Sequence, residues 1–431
     1  MKIFKFGGAS VKDAAAVRNV VKIINAHEGE DIWIVVSAMG KSTNHLEKIL
    51  SAYWQEDGEK EVHFKRFKAF HRDIINELFP FSEQDILREV NLRFKELKTE
   101  LESLDRSDYD KSYDAIVSVG EWLSTKIVSA HLAQAGVNNE WLDAKSLIAT
   151  SDTHREGEVD WELSRKQIVK AWENEQQSHS VMGARCMVTQ GFVGACSGVP
   201  TTLGREGSDY SAAIIAWCLD AKEVTIWKDV PGVLNADPKY YPEAERLHNI
   251  SYREAIELSY YGASVIHPKT IKPLQNKKIP MHVRSFVDID APGTVISTDL
   301  SKDGLMPCYI FKSNQVLISI SPVDFSFIME EGMSNIFKKM RSLRLRANLL
   351  QNSALSFSVC LDDKGKRIDE LISLLGTEYR VLHNRGVSLL TIRHYDDATM
   401  NRVLDGREVL VEQRSRQTAR FVVKGEFERT A

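Results

Sequence analysis

Cysteine is scarce in this chain: Cys186, Cys196, Cys218, Cys308 and Cys360 are the only five in 431 residues. No two lie within four residues of each other, which excludes the paired spacing of a zinc site or a redox dithiol. An odd, scattered set fits reduced thiols, so a cytoplasmic setting is expected. Long apolar runs are missing too. None approaches the roughly 20 residues of a membrane span, and Met1 to Phe6 lack the apolar core of a signal peptide. Neither charge sign dominates. Lys plus Arg number 56 against 60 Asp plus Glu, a net charge of −4, which speaks against a broad basic face for nucleic acid. Hydrophobic residues make up 43%, enough for sizeable cores. At ~150 residues per domain the length predicts about three domains, or two with one large.

The pattern along the first 300 residues alternates. Ile3 to Phe6 reads as a buried strand, followed by Gly7-Gly8-Ala9-Ser10 and a helix from about Asp13 to Ala26. Val17, Val20, Val21 and Ile24 give that helix one apolar stripe. Ile32 to Val36 is a second strand, and a small-residue loop ending at Asn44 leads into another helix. Strand, loop, helix twice in fifty residues predicts parallel α/β architecture. Residues 55–112 are charged and helical in pattern, readable as a solvated excursion or as a lid. The alternation resumes with an expected strand over Ala115 to Val119, and further strands at Met187 to Phe192 and Glu223 to Trp227. Composition changes near 298–308, where we expect the domain boundary. Beyond it, two short β-α-β-β-like passes predict a small antiparallel α+β unit in near-duplicate.

Five loops carry the chemistry. Lys5, Gly7, Gly8 and Ser10 combine a strand-end cation with paired glycines before a helix N-terminus, which suits a phosphate as well as a plain turn. Ser37 to Asn44 repeats the design with hydroxyls, although Thr43 or Asn44 reads equally as an N-cap. Glu121 follows Gly120 at a helix start, where it either complements the dipole or receives an ammonium group. Thr201 to Ala213 contains Gly204-Arg205-Glu206-Gly207-Ser208-Asp209, with Arg205 able to take a carboxylate in two parallel hydrogen bonds. Lys228-Asp229-Val230-Pro231-Gly232 ends a strand as a turn or as the frame of a nucleotide. Ligands of open α/β sheets bind beyond the carboxyl ends of strands. This inventory suits a phosphate-rich ligand beside a small zwitterion.

The segments KFGGASV (5–11), VSAMGKSTN (36–44), VGEWLST (119–125), TQGFVG (189–194), TTLGREGSDYSAA (201–213), WKDVPGV (227–233), ADPK (236–239) and YYGASVIHP (260–268) resemble the aspartate kinase family in order and spacing. The resemblance implies a three-layer α/β/α sandwich with a mainly parallel sheet, the amino-acid-kinase fold, plus C-terminal α+β ACT-like regulatory domains. The catalytic domain would span 1–298 and the tandem ACT-like region 305–431. Within that region 315–385 would form one continuous unit, and 305–314 with 386–424 a second, degenerate for want of elements. The implied reaction is ATP-dependent phosphorylation of the L-aspartate β-carboxylate, which opens the route toward lysine, threonine and methionine.

By motif position the resemblance places Lys5 and Asp209 at the reacting groups. It places Gly7, Gly8, Ser10, Lys228, Asp229 and Lys239 at ATP, and Ser37, Thr43, Glu121, Arg205 and Ser208 at aspartate. Mg²⁺ would be held chiefly by the ATP phosphates, because no cluster of metal-binding carboxylates is visible. Ser319, Asp324, Phe325, Asn352 and Ser353 are candidates for an effector such as lysine, threonine or methionine, and a homodimer through the ACT units is expected. His267 before Pro268 reads as a packed structural histidine.

Five positions depart from the family pattern. Ala9 stands where threonine is usual, and Glu206 where glycine is. Lys228 and Leu234 replace a hydroxyl and an aromatic residue, and Ser264 a phosphate-contacting lysine. Other readings therefore stay open: a kinase of the same fold acting on a glutamate derivative, carbamate or uridylate, or an inactive amino-acid sensor.

Overall fold

In the computed structural model the described residues are all except 81–84, 179–183, 264–265, 305, 325–329 and 428–431. Two compact units form: Met1–Val233 with His248–Ile256 and Val265–Ser301, and Leu234–Leu247 with Glu257–Ser264 and Lys302–Ala431. Two short segments that lie early in the chain, 234–247 and 257–264, thus group with the C-terminal residues.

The first unit is built on strands β1 (Lys2–Phe6), β2 (Ile32–Val36), β3 (Glu140–Leu142), β4 (Cys186–Gln190), β5 (Val193–Cys196), β6 (Val199–Thr202), β7 (Glu223–Lys228), β8 (Asn249–Ser251), β9 (Met281–Ser285) and β10 (Thr294–Ser297). Eight of them make one sheet in the order β3-β4-β2-β1-β7-β9-β10-β8, and β5 pairs with β6 as a separate hairpin. All neighbours in the eight-stranded sheet are parallel except β9 and β10. The central strands are buried on both faces, which is why Ile32 to Val36 reads as a continuous apolar run. Because β1 lies between β2 and β7, the chain winds outward on both sides of it. The crevice beyond the carboxyl end of β1 is therefore a switch point where loops diverge.

The flanking helices are α1 (Ala14–Asn25), α2 (Ser42–Trp54), α3 (Lys60–Leu78), α4 (Asp85–Glu102), α5 (Tyr109–Val117), α6 (Val119–Gln134), α7 (Trp161–Ser178), α8 (Gly207–Cys218), α9 (Tyr252–Tyr261) and α10 (Pro268–Lys277). The expected strand over Ala115 to Val119 is instead the end of α5 and the start of α6. A short apolar run does not reveal its own period, and burial under α4 satisfies it equally well as helix. The described helices of the 55–112 excursion bury one face in the core while the other stays exposed. Phe64, Phe67, Ile74, Ile75 and Leu78 of α3 and Val90, Phe94 and Leu97 of α4 join one core with α1, α2 and α6. Within it His71 is fully enclosed. Its Nδ1 donates to the Phe67 carbonyl at 2.9 Å and its Nε2 accepts from Ser42 Oγ at 3.3 Å. Burial pulls its pKa down to about 4, so it stays neutral and ties α3 to the first turn of α2.

The second unit holds β11 (Cys308–Pro322), α11 (Glu330–Ser342), β12 (Ala347–Asn352), β13 (Phe357–Asp362), α12 (Lys366–Gly376), β14 (Tyr379–Arg393), α13 (Asp397–Leu404), β15 (Val409–Arg414) and β16 (Thr418–Lys424). Its sheet runs β12-β13-β11-β14-β16-β15 and is antiparallel throughout. The two 15-residue strands β11 and β14 serve both halves, with an irregularity between Lys312 and Gln315 where the halves meet. One half has two helices, with Ile336, Met340, Ile368, Leu371 and Leu375 packed on Val316, Ile318 and Val359. Among the described residues the other has α13 alone. Its core is completed by Ala236, Tyr240 and Tyr241 from the early segment, Tyr241 stacking on Tyr309 at 4.9 Å and Tyr240 lying 5.4 Å from Phe311. This is an α/β sandwich unit with a C-terminal α+β, ACT-like unit.

If α3 and α4 are a fixed wall, Phe67→Ala should cost about 3–5 kcal/mol of stability, read from the midpoint of urea unfolding. A loosely held lid would tolerate the change with little loss.

Candidate active site

The site grows from β1. Lys5 lies one residue from the end of this strand, paired in register with Val35 of β2 and Ile226 of β7. Its ammonium lies 2.5 Å from Asp209 Oδ1. Asp209 projects from the first turn of α8 and is 2% exposed. Lys228, at the end of β7, brings a second ammonium to 3.7 Å from Asp209 Oδ2. Burial alone would raise the Asp209 carboxyl, but the charges of Lys5 and Lys228 outweigh it and hold the group below its ordinary value. Asp209 is thus a fixed carboxylate that clamps two cations at one strand rim.

Close contacts between the loops set their geometry. The Gly8 carbonyl accepts from Gly40 N at 2.9 Å, and a Cβ on Gly8 would lie 2.8 Å from the Gly40 carbonyl oxygen. Gly191, after β4, leaves room for α8: a Cβ there would sit 2.4 Å from Ser208 Cβ. Ser37 Oγ donates to Ser208 Oγ at 2.8 Å, joining the β2 loop to the helix start. Ser208 and Asp209 therefore do not cap α8; its N-cap is Glu206, with no side-chain cap hydrogen bond. Thr43 is no cap either. It is the second residue of α2, partly exposed at the same rim.

Glu121 is buried in the first turn of α6. Its Oε1 accepts from Ala38 N at 3.3 Å, while Oε2 has no hydrogen-bond partner among the described residues. Burial pushes its pKa from 4.5 up to about 8, with the Ala38 amide pulling weakly the other way. A buried carboxylate oxygen left unsatisfied costs stability unless a donor arrives.

Several expected residues sit differently. Ser10 is buried, and its hydroxyl donates to the Trp227 carbonyl at 3.2 Å while its N–H donates to Gly7 O, so it shapes the loop. Ala9, Arg205 and Asp229 are exposed. Lys239 and Leu234 belong to the second unit. Ser264 and Phe325 lie outside the described residues. His267 caps α10 by accepting from Lys269 N at 3.2 Å, a structural role. Glu206 has φ 55°, a left-handed conformation that glycine takes without cost. In the second unit Ser319 of β11 and Gln351 of β12 both pair with Ser358 of β13, which gathers Ser319, Asn352 and Ser353 at one end of that sheet; Asp324 lies in the turn past β11. Sequence reasoning missed the buried Asp114 and Thr202 and the half-buried His154, partners beneath the Arg205 loop. Nothing in their spacing distinguishes them from ordinary core polar residues.

The Amino acid kinase family model matches residues 1–285. The chain belongs to that family. It is 31% identical over 390 residues to "Aspartokinase 1, chloroplastic" of Arabidopsis thaliana, covering 86% of this chain and 65% of that relative. The chain thus spans slightly less than two thirds of the relative's length. Among solved structures it resembles E. coli aspartokinase III in complex with lysine and aspartate, with a TM-score of 0.83, 26% identity and coverage of 99% of this chain and 96% of the other. The E. coli enzyme in complex with aspartate and ADP gives 0.80, 25% identity and the same coverage.

Two predictions follow from this geometry. The folded chain keeps the Glu121 proton up to about pH 8, whereas the unfolded chain loses it near 4.5, so this group's contribution to stability falls as pH rises between those values. Glu121→Gln stays neutral throughout. Its ligand-free thermal midpoint should match the parent near pH 4.5 and exceed it by several degrees at pH 8; a gap independent of pH would contradict the assignment. Glu206→Gly should relieve the left-handed backbone and stabilise by about 1 kcal/mol in chemical unfolding.

Proposed function

We propose that this chain is an aspartokinase, transferring the γ-phosphoryl group of ATP to the β-carboxylate of L-aspartate to give 4-phospho-L-aspartate. The observation that carries this reading is the unsatisfied, buried oxygen of Glu121, one loop away from the Lys5–Asp209–Lys228 cluster. An amino acid brings an ammonium group to that oxygen, whereas carbamate and uridylate bring none. Arg205, exposed and with no ion pair among the described residues, receives the α-carboxylate. The likeness to an E. coli enzyme solved with aspartate and ADP supports the same two reactants.

The acceptor carboxylate is already ionised at neutral pH, so the chain needs no strong base. The barrier is electrostatic, because one anion must approach another. Lys5 stabilises the charge on the transferring phosphoryl group, and Asp209 holds Lys5 in line. Ser37, Thr43 and Ser208 orient substrate oxygens. Gly7 and Gly8 let the backbone approach the phosphates, Ser10 keeps that loop in shape, and Lys228 and Asp229 serve the nucleotide. Mg²⁺ supplies further neutralisation when bound. Among the described residues no group of three His, Cys, Asp or Glu side chains could hold a metal ion.

The second unit serves as the amino-acid sensor. Lysine is the favoured effector, at the sheet end bearing Ser319, Asp324, Asn352 and Ser353, and this unit joins two chains as a homodimer. A cytoplasmic location accords with five free thiols. Among the described residues no helix is long and apolar enough to cross a membrane.

A coupled ADP-release assay with aspartate, glutamate, carbamate and UMP tests the reading. Turnover is expected with aspartate only, reduced by lysine, and lowered about 100-fold or more in kcat by Lys5→Ala or Asp209→Ala. Absence of turnover with aspartate overturns it.

A further inference from the structure

Asp114 lies on α5, outside the loops discussed so far, and is completely buried. A carboxylate in that position must find donors from several directions, and it does. Oδ1 accepts from Thr202 Oγ1 at 2.6 Å. Oδ2 accepts from the backbone N–H of Arg155 and from His154 Nδ1, both at 2.9 Å. All three donors belong to the platform beneath the Arg205 loop. Thr202 ends β6, three residues before Arg205. Its carbonyl accepts from Gly157 N at 2.9 Å, and the following residue, Leu203, donates to the Phe192 carbonyl at 2.9 Å.

Arg155 is held in a left-handed conformation, φ 66°, by the Asp114 bond and by its guanidinium, which covers the Tyr113 ring at 4.3 Å and reaches Asp110 at 3.1 Å. The Arg155 carbonyl then abuts Gly204, where a Cβ would lie 3.2 Å from it. Two groups of the loop, the Thr202 hydroxyl and the Thr202 carbonyl, are thus held from one side, and Gly204 lies close against the Arg155 carbonyl. The other end of this scaffold leads to Glu121. From α5 the chain passes through Ser118 directly into α6, whose first turn carries Glu121.

We propose that Asp114 is a positioning residue that sets the separation between the two ends of the acceptor site, Glu121 and Arg205, and so tunes the fit of an α-amino acid. The inference rests on the assignment of Arg205 and Glu121 to the aspartate carboxylate and ammonium. Asp114 touches neither reactant. It acts by locking the Arg205 loop to the helix pair that bears Glu121. Its loss should therefore weaken acceptor binding and leave the nucleotide side alone.

The experiment is steady-state kinetics of the full chain with aspartate and ATP varied separately, for Asp114→Asn, Thr202→Val, Thr202→Ser and Arg205→Ala. Asp114→Asn and Thr202→Val should raise the aspartate KM at least tenfold and change the ATP KM less than twofold. Thr202→Ser, which keeps the hydroxyl, should stay within threefold of the parent. If Arg205→Ala raises the aspartate KM but Thr202→Val and Asp114→Asn do not, the positioning role is overturned alone. If both KM values rise together in Thr202→Val, with a fall in the thermal midpoint, the network is merely structural and the role is again overturned. An unchanged aspartate KM in Arg205→Ala overturns the acceptor assignment and this inference with it. Thr202→Val decides the matter even if Asp114→Asn does not fold.

Discussion

Everything at the candidate site depends on one buried carboxylate between two cations. Asp209 is almost fully enclosed, yet Lys5 and Lys228 keep it ionised. Burying such a group is expensive unless the pairing is good, and stability alone is a weak reason to keep it. Its value is geometric. Lys5 sits on the central strand, Lys228 on its neighbour and Asp209 on a helix that follows a separate hairpin. Clamping them together brings three loops to one strand rim and fixes two positive groups there, where the proposed reaction places the transferring phosphoryl. Catalysis of anion-to-anion transfer needs charges that do not have to reorganise during the reaction.

Glu121 illustrates the complementary device. Where Asp209 is over-supplied with cations, Glu121 has one backbone donor and one oxygen unsatisfied. The ligand-free protein bears the cost of that oxygen, and in the proposed reaction an incoming ammonium group would relieve it. The two carboxylates differ in environment alone, one surrounded by lysines and one by apolar helix residues. Burial raises both carboxyls, but the lysine charges around Asp209 outweigh it, so the two end on opposite sides of their ordinary pKa. The C-terminal unit shows a different economy. Two 15-residue strands serve both of its halves, and the half with a single helix takes tyrosines from an early segment to close its core.

Much of this was legible in the residues. The alternation of buried strands, small-residue loops and amphipathic helices predicted a mainly parallel sheet with its loops at one rim, because period and turn chemistry are local properties. Lys5 and Asp209 stood out by motif. The misreadings share a cause. Ala115 to Val119 is apolar and short, and its packing among α2, α4 and β6, not its own pattern, goes with the helical form. The charged look of 55–112 hid stripes that bury Phe64, Phe67 and Phe94, since a charged face and a core face can coexist on one helix. Ser10 has the right residue type for a phosphate contact, yet its hydroxyl is spent on the Trp227 carbonyl.

The amino-acid order alone determined which chemical groups lie at strand ends, because strand and turn propensities act over a few neighbours. It also marked Glu206 as unusual in a glycine-rich loop. Only the folded chain decided which groups meet. Residues 5 and 209, 37 and 208, or 114 and 202 are brought together by strand order and helix packing, which no local pattern encodes. The packed structure made the same decision for charge: burial left Glu121 with a raised pKa, and the lysines it brought against Asp209 overcame burial there and left a lowered one.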